Sequence, residues 1–175
     1  LIARSFSRFY NLGEALNITR NFQFENTKAW TKLDGSLIKF FMYGGSWVVQ
    51  TRNSFATDFV NGSSYTWEQL VRQALPRRWN VYEAGFSHLT FIFELCSPYN
   101  IVVQRHTDIS IWLLTIFDGR QELADEEVDN IANTVGFLRP HCSTFNDVEE
   151  IRQYIKQQAA QNETFEGVVL KDVSG

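Results

Sequence analysis

Short runs of β-branched and aromatic residues, cut apart by glycines and turn residues, constrain this chain most. Leu37 to Tyr43 and Trp47 to Thr51 flank Gly44-Gly45, and two such runs around a Gly-Gly pair predict a β-hairpin. Leu89 to Cys96, Ile101 to Gln104 and Ile109 to Phe117 predict three further strands, with Asp118-Gly119 as a turn, and Phe165 to Leu170 predicts a last one. Thr66 to Leu75 predicts a helix capped by Thr66, with Glu68 and Gln69 early in it and Pro76 at its end. Asp125 to Val135 predicts a second helix, with Gly136 just beyond. Asn146 to Gln161 predicts a third, opened by the box-like Asn146-Asp147-Val148-Glu149. Hairpin-spaced strands with helices inserted predict an α+β fold of mostly antiparallel sheets with flanking helices, not a βαβ array.

A chain of 175 residues suits one domain, and a hydrophobic share of 44% is enough to give it a real core. The net charge of −4 excludes a whole-chain basic footprint for nucleic acid, while leaving room for a local basic groove. Cys96 and Cys142 build no disulfide framework, and His88, His106 and His141 share no spacing suited to zinc or a triad. No run approaches a membrane span and no secretory signal opens the chain, so no membrane partner and a cytoplasmic setting, in a cell or a virus's host, are expected. Neither a G-x-G-x-x-G nor a P-loop motif occurs. Trp30, Phe40, Phe41 and Trp47 read as core rather than as an RNA-stacking platform, and Arg77-Arg78-Trp79 reads as a solvated face.

Chemistry concentrates at Lys32-Leu33-Asp34-Gly35-Ser36, just before the first strand-like run. A lysine amine becomes a nucleophile when it is neutral and an electrophile is held against it. In a K-x-D-G turn the aspartate can orient the amine or hold a metal-bound water, and the glycine lets backbone approach a ligand. Three fixed letters arise by chance once in ~8000 positions, so the motif gains weight only from its company.

That company is ordered. Ala3-Arg4-Ser5-Phe6-Ser7-Arg8-Phe9-Tyr10-Asn11 precedes the turn. Thr51-Arg52-Asn53-Ser54, Phe91-Ile92-Phe93-Glu94, Trp112-Leu113-Leu114-Thr115-Ile116 and Phe165-Glu166-Gly167-Val168-Val169 follow it. In this order and spacing, residues 1–175 resemble the ATP-grasp-like nucleotidyltransferase domain of ATP-dependent RNA ligases, in particular the phage RNA ligase 1 family. DNA ligases and GTP-using capping enzymes share that chemistry and are the first alternative. A non-catalytic nucleic-acid-binding relic is the second.

The resemblance implies ATP and Mg²⁺ as cofactors and an RNA partner with 5′-phosphate and 3′-hydroxyl ends. It implies a covalent lysyl-AMP intermediate, and RNA repair or tRNA sealing as the setting. End-healing or RNA-binding domains attached to the chain are expected partners. The resemblance makes Lys32 the nucleophile, with Asp34 and Gly35 beside it. It puts Arg4 on the nucleotide's phosphates, Arg8 on phosphate or RNA, and Arg52 on ribose or phosphate. Glu94 would accept from a ribose hydroxyl, and Leu114 and Val169 would sandwich the adenine. Glu166 and Asp34 would serve the metal, with Gly167 keeping the backbone open. A further K-x-K motif is expected, but Lys171-Asp172 follows Glu166 too closely to be it, so the chain reads as an excerpt.

Overall fold

The structure is a computed structural model that describes residues 2–6, 10–12, 14, 22–100 and 103–171. In chain order its strands are β1 (Thr27–Thr31), β2 (Ser36–Tyr43), β3 (Ser46–Gln50), β4 (Leu89–Cys96), β5 (Ser110–Asp118), β6 (Gln121–Glu122), β7 (Cys142–Phe145) and β8 (Val168–Lys171). Its helices are α1 (Trp67–Ala74), α2 (Trp79–Tyr82), α3 (Asp125–Val135) and α4 (Val148–Gln161). The chain divides into two compact units, Leu1–Ser5 with Asp34–Arg139 and Phe6–Leu33 with Pro140–Gly175.

The first unit is built on a five-stranded sheet in the order β3-β2-β4-β5-β6, with every neighbouring pair antiparallel. The expected hairpin forms from β2 and β3. Gly44 and Gly45 take φ of 58° and 79°, the left-handed pair that a two-residue hairpin turn requires. β4 lies at the centre, and all of its residues are buried except Glu94. Ile38 and Phe40 of β2, Phe91, Phe93 and Leu95 of β4, and Ile111, Leu113 and Ile116 of β5 line one core. Leu70 and Val71 of α1 and Val128, Ala132 and Val135 of α3 close over it. Trp79, which is 2% exposed, is the hub. Its ring lies 4.9 Å from Trp47, 5.3 Å from Phe91, 5.5 Å from Phe40 and 5.8 Å from Phe137. Arg77 and Arg78 are exposed, so the Arg-Arg-Trp segment is a solvated face only in its arginines.

The second unit is a three-stranded antiparallel sheet, β7-β1-β8, with α4 connecting β7 to β8. Tyr154 of α4 packs on Phe145 at 5.2 Å and faces Phe165 at 6.5 Å. Trp30 is half-buried on β1 of this sheet, whereas Phe40 and Trp47 lie in the core of the first unit.

Local signals place most element ends. Thr66 and Gln69 cap α1 reciprocally, through bonds of 3.2 Å and 2.8 Å. Gly136, with φ of 92°, ends α3. α4 starts one residue later than its box suggested. Asp147, not Asn146, is its cap, accepting from the backbone of Glu149 and Glu150. The last strand begins at Val168, because the N–H of Phe165 turns back to Asn162 at 3.1 Å. The strand expected at Ile101 to Gln104 is corrected in part. Ile101 and Val102 lie outside the described residues, and Val103 and Gln104 form no strand. Among the described residues no helix is long and apolar enough to cross a membrane.

Truncating the aromatic hub tests this account. Trp79→Ala is expected to lower unfolding free energy by ~3–5 kcal/mol, measured by denaturant melting. An unchanged midpoint would show that the core does not depend on it.

Candidate active site

Lys32 and Glu166 meet in the second unit, although 134 residues separate them in sequence. The β1–β8 ladder pairs Thr31 with Val168, and the next bond runs from Lys32 N–H to the Gly167 carbonyl at 3.0 Å. Beyond the ladder, Nζ of Lys32 donates to Oε2 of Glu166 in an ion pair. In a regular ladder Lys32 would share a face with Gly167, while Glu166 would point to the other face. Gly167 breaks that alternation with a φ of 124°, a conformation that L side chains rarely adopt. The Lys32 side chain is 52% exposed and open to a reactant, whereas that of Glu166 is only 18% exposed. Val169, the proposed adenine contact of this unit, is half-buried on β8 opposite Trp30.

The next residues of the motif belong to the first unit and are held there one after another. Asp34 is 5% exposed. Its Oδ2 accepts from the backbone N–H groups of Val103, at 2.7 Å, and Gln104. Its carbonyl accepts from His106 at 2.5 Å, so Nε2 of that ring carries the proton. A Cβ on Gly35 would lie 2.5 Å from the Leu95 carbonyl oxygen and 3.0 Å from Cγ of Glu94. Glycine at this position is therefore required by strand packing, whatever binds nearby. Ser36 Oγ accepts from Asn100 Nδ2 at 3.0 Å, and the same amide donates to the Leu95 carbonyl at 2.7 Å. Sequence reasoning did not single out Asn100, and it weighed His106 only for zinc or a triad. The turn composition of Ser97-Pro98-Tyr99-Asn100 was the available signal for the first.

One face of the five-stranded sheet carries the other candidates of this unit. Glu94 stands opposite Leu37 on β2 and Trp112 on β5, all three half-buried. Leu114 lies at the bulge where β5 slips against Ile92 and Phe93, also half-buried. Arg4 donates to the Arg120 carbonyl at 2.5 Å, with its guanidinium 5.7 Å over the Phe117 ring. Phe117 pairs with Thr90, four residues along β4 from Glu94, or about 13 Å at the usual rise per residue. The structure thus places Arg4 at one end of this face and Glu94 toward the other. Arg52 is exposed in the turn after β3, rather than on the strand itself. Arg8 lies outside the described residues.

Among the described residues no group of three or more His, Cys, Asp or Glu side chains could hold a metal by itself. A tightly caged metal is therefore a poor fit. Mg²⁺ fits a different kind of site, because it keeps several waters and is commonly held by one or two carboxylates plus substrate phosphates. Glu166 can be such a carboxylate, whereas Asp34 already spends one oxygen on backbone N–H groups. Cys96 is no rival nucleophile. Burial, with the charges of Glu94 and Asp34, pushes its thiol up to about 12.

An RNA ligase family model of the phage RNA ligase 1 type matches residues 1–175. The chain belongs to the RNA ligase family. A protein of Autographa californica nuclear polyhedrosis virus, named as a bifunctional polynucleotide kinase/RNA ligase, is 32% identical over 174 residues, covering 90% of this chain and 24% of the viral protein. The chain thus spans about a quarter of that relative. An archaeal ATP-dependent RNA ligase superposes with a TM-score of 0.68 at 16% identity, covering 97% of this chain and 45% of its own. A variant of Naegleria gruberi RNA ligase, solved with ATP and Mn, gives 0.67 at 15% identity, covering 98% of this chain and 53% of its own. An Aquifex aeolicus protein named as an ATP-dependent DNA ligase gives 0.67 at 16% identity, covering 96% and 45%. The fold is therefore that of ATP-dependent polynucleotide ligases, and does not by itself separate RNA from DNA.

Asp34→Ala is expected to speed amide exchange at Val103 and Gln104 at least tenfold, since charge-assisted hydrogen bonds are worth ~1.5–3 kcal/mol each. Unchanged protection of both amides would remove Asp34 as the anchor of that loop.

Proposed function

We propose that this chain is the nucleotidyltransferase part of an ATP-dependent RNA ligase that works through a lysyl-AMP intermediate at Lys32. The observation that carries the reading is the Lys32–Glu166 pair, formed across 134 residues in a member of the RNA ligase family. Lys32 Nζ attacks the α-phosphorus of ATP, forming an N–P bond as the bond to the leaving pyrophosphate breaks. The AMP then passes to a 5′-phosphate RNA end, breaking that N–P bond. A 3′-hydroxyl finally attacks the activated 5′-phosphate, releases AMP and seals the strand. Before the first step, Nζ must lose a proton and leave the Glu166 carboxylate. The half-exposed position of Lys32 allows that movement.

Glu166 would hold the divalent cation, Mg²⁺ in this reading, with Asp34 acting through a bound water. When bound, the cation supplies charge neutralisation at the phosphates. Glu94 accepts from a ribose hydroxyl, which gives an acidic side chain on an otherwise buried strand a reason to be there. Leu114 and Val169 contact the adenine. Arg52 and the guanidinium donors of Arg4 not used on Arg120 contact phosphate or ribose. The kinase/RNA ligase name of the viral relative supports an end-healing partner within the same parent protein. RNA repair or tRNA sealing is the task in this reading.

The shared fold with a DNA ligase keeps a DNA-sealing reading open to test. With α-labelled ATP and Mg²⁺, the full-length protein is expected to carry label through denaturing electrophoresis, with little from GTP, and to seal RNA ends in preference to DNA. Lys32→Ala is expected to abolish the label, and a variant that still labels sinks the assignment. Glu166→Ala is expected to slow labelling by ~10²-fold or more, in the range of other transition-state charge stabilisers. Undiminished labelling across a Mg²⁺ titration would remove Glu166 from the chemistry.

A further inference from the structure

The bulge in β5 leaves a specific need. Thr115 pairs with Ile92 and Leu113 with Phe93, so Leu114 is the extra residue between them. Leu113 is fully buried on the core side, while Leu114 and Thr115 follow each other on the opposite face, where Ile92 and Glu94 lie. A bulge also turns successive carbonyls toward one edge of the strand, where no ladder partner takes both.

Arg139 fills that need. Its NH1 donates to the Leu113 carbonyl at 2.7 Å and to the Leu114 carbonyl at 2.6 Å. The same edge is closed by a bond from Leu113 N–H to the Leu138 carbonyl at 2.8 Å. The guanidinium is itself clamped from α3, with Nε on Asp129 at 2.7 Å and NH2 at 3.8 Å from Asp125. Its side chain is only 13% exposed, whereas that of Asp129 is 46% exposed, so the guanidinium is shielded from water while its carboxylate partner is not. A planar fork with several fixed donors serves two carbonyls and a carboxylate at once, which a lysine ammonium cannot do with the same geometry.

We infer that Arg139 is a positioning residue for nucleotide binding: by capping both bulge carbonyls it holds Leu114 on the face that carries Glu94. The inference rests on the adenylylation reading above, in which Leu114 contacts the base. Arg139 touches no substrate and acts through the bulge.

The test is an ATP titration of Lys32 labelling in the full-length protein, with melting curves to establish folding. Arg139→Lys is expected to raise the KM for ATP about tenfold while keeping the labelling rate at saturating ATP within about twofold. Leu114→Ala is expected to raise KM similarly, and the double variant little beyond the larger single effect, because both act on one contact. A folded Arg139→Lys protein with unchanged KM, a loss confined to the saturated rate, or additive effects in the double variant would overturn the inference. If Arg139→Lys does not fold, Asp129→Asn decides, since it removes the charge that fixes Nε and so loosens the hold of NH1 on both carbonyls. A several-fold rise in KM supports the inference, and no rise overturns it. Wild-type protein that binds ATP by calorimetry but takes no label fails the ligase reading alone, and the same variants are then compared by Kd with the same expected shifts. Wild-type protein that binds no ATP overturns both.

Discussion

Burial of β4 is the constraint on which the first unit depends. From Leu89 to Cys96 every residue but Glu94 is buried, and both long edges are paired, to β2 and to β5. Such a strand leaves its neighbours little choice of register, because a one-residue slip would turn every side chain to the wrong face. The register with β2 sets Leu37 opposite Glu94 and Ser36 opposite Leu95, bringing Gly35 against the Leu95 carbonyl. The register with β5 sets Trp112 opposite Glu94 and puts the bulge at Leu114. Three motifs far apart in sequence thus take their positions in this unit from one buried strand. Glu94 is its exception, and an ionisable group on a buried strand is tolerated when it has partners or a ligand.

What the sequence made legible was what local pattern determines. Apolar runs marked β2, β4 and β5, Gly44-Gly45 marked the hairpin, and Thr66 and Gly136 marked helix ends, because each is a short-range steric or hydrogen-bonding fact. Val103-Gln104 was misread for a physical reason. It continues an apolar run that resembles a strand, but a buried carboxylate sixty-nine residues upstream offers its N–H groups a better acceptor than any strand. Short mixed strands such as Cys142–Phe145 carry little pattern of their own and exist because β1 pairs with them. The family motifs singled out Lys32 and Glu166 individually. Their pairing depends on the β1–β8 ladder, a contact between distant segments that periodicity does not report. The clamp of Arg139 on the bulge was equally invisible, since neither the bulge nor its two turned carbonyls leaves a local signal.

Two glycines show how the same residue type answers different demands. Both sit in motifs where the plain reading is room for a ligand to approach. At Gly35 the side of the residue that would carry Cβ is already taken by the Leu95 carbonyl, so a methyl group would force β2 and β4 apart at the point where the motif enters the sheet. Gly167 has open space around it, with nothing within 4 Å of a Cβ, so crowding is no constraint there. Its constraint is the backbone, at φ of 124°, which turns the chain between Glu166 and β8 and lets the carboxylate reach the lysine on the neighbouring strand. An alanine at Gly35 would therefore act through packing, and one at Gly167 through strain in the chain that aims Glu166. Steric room for a ligand is not needed to account for either glycine. Gly167 remains coupled to chemistry, because it secures the placement of Glu166, whereas Gly35 secures the approach of β2 to β4 where the motif enters the sheet.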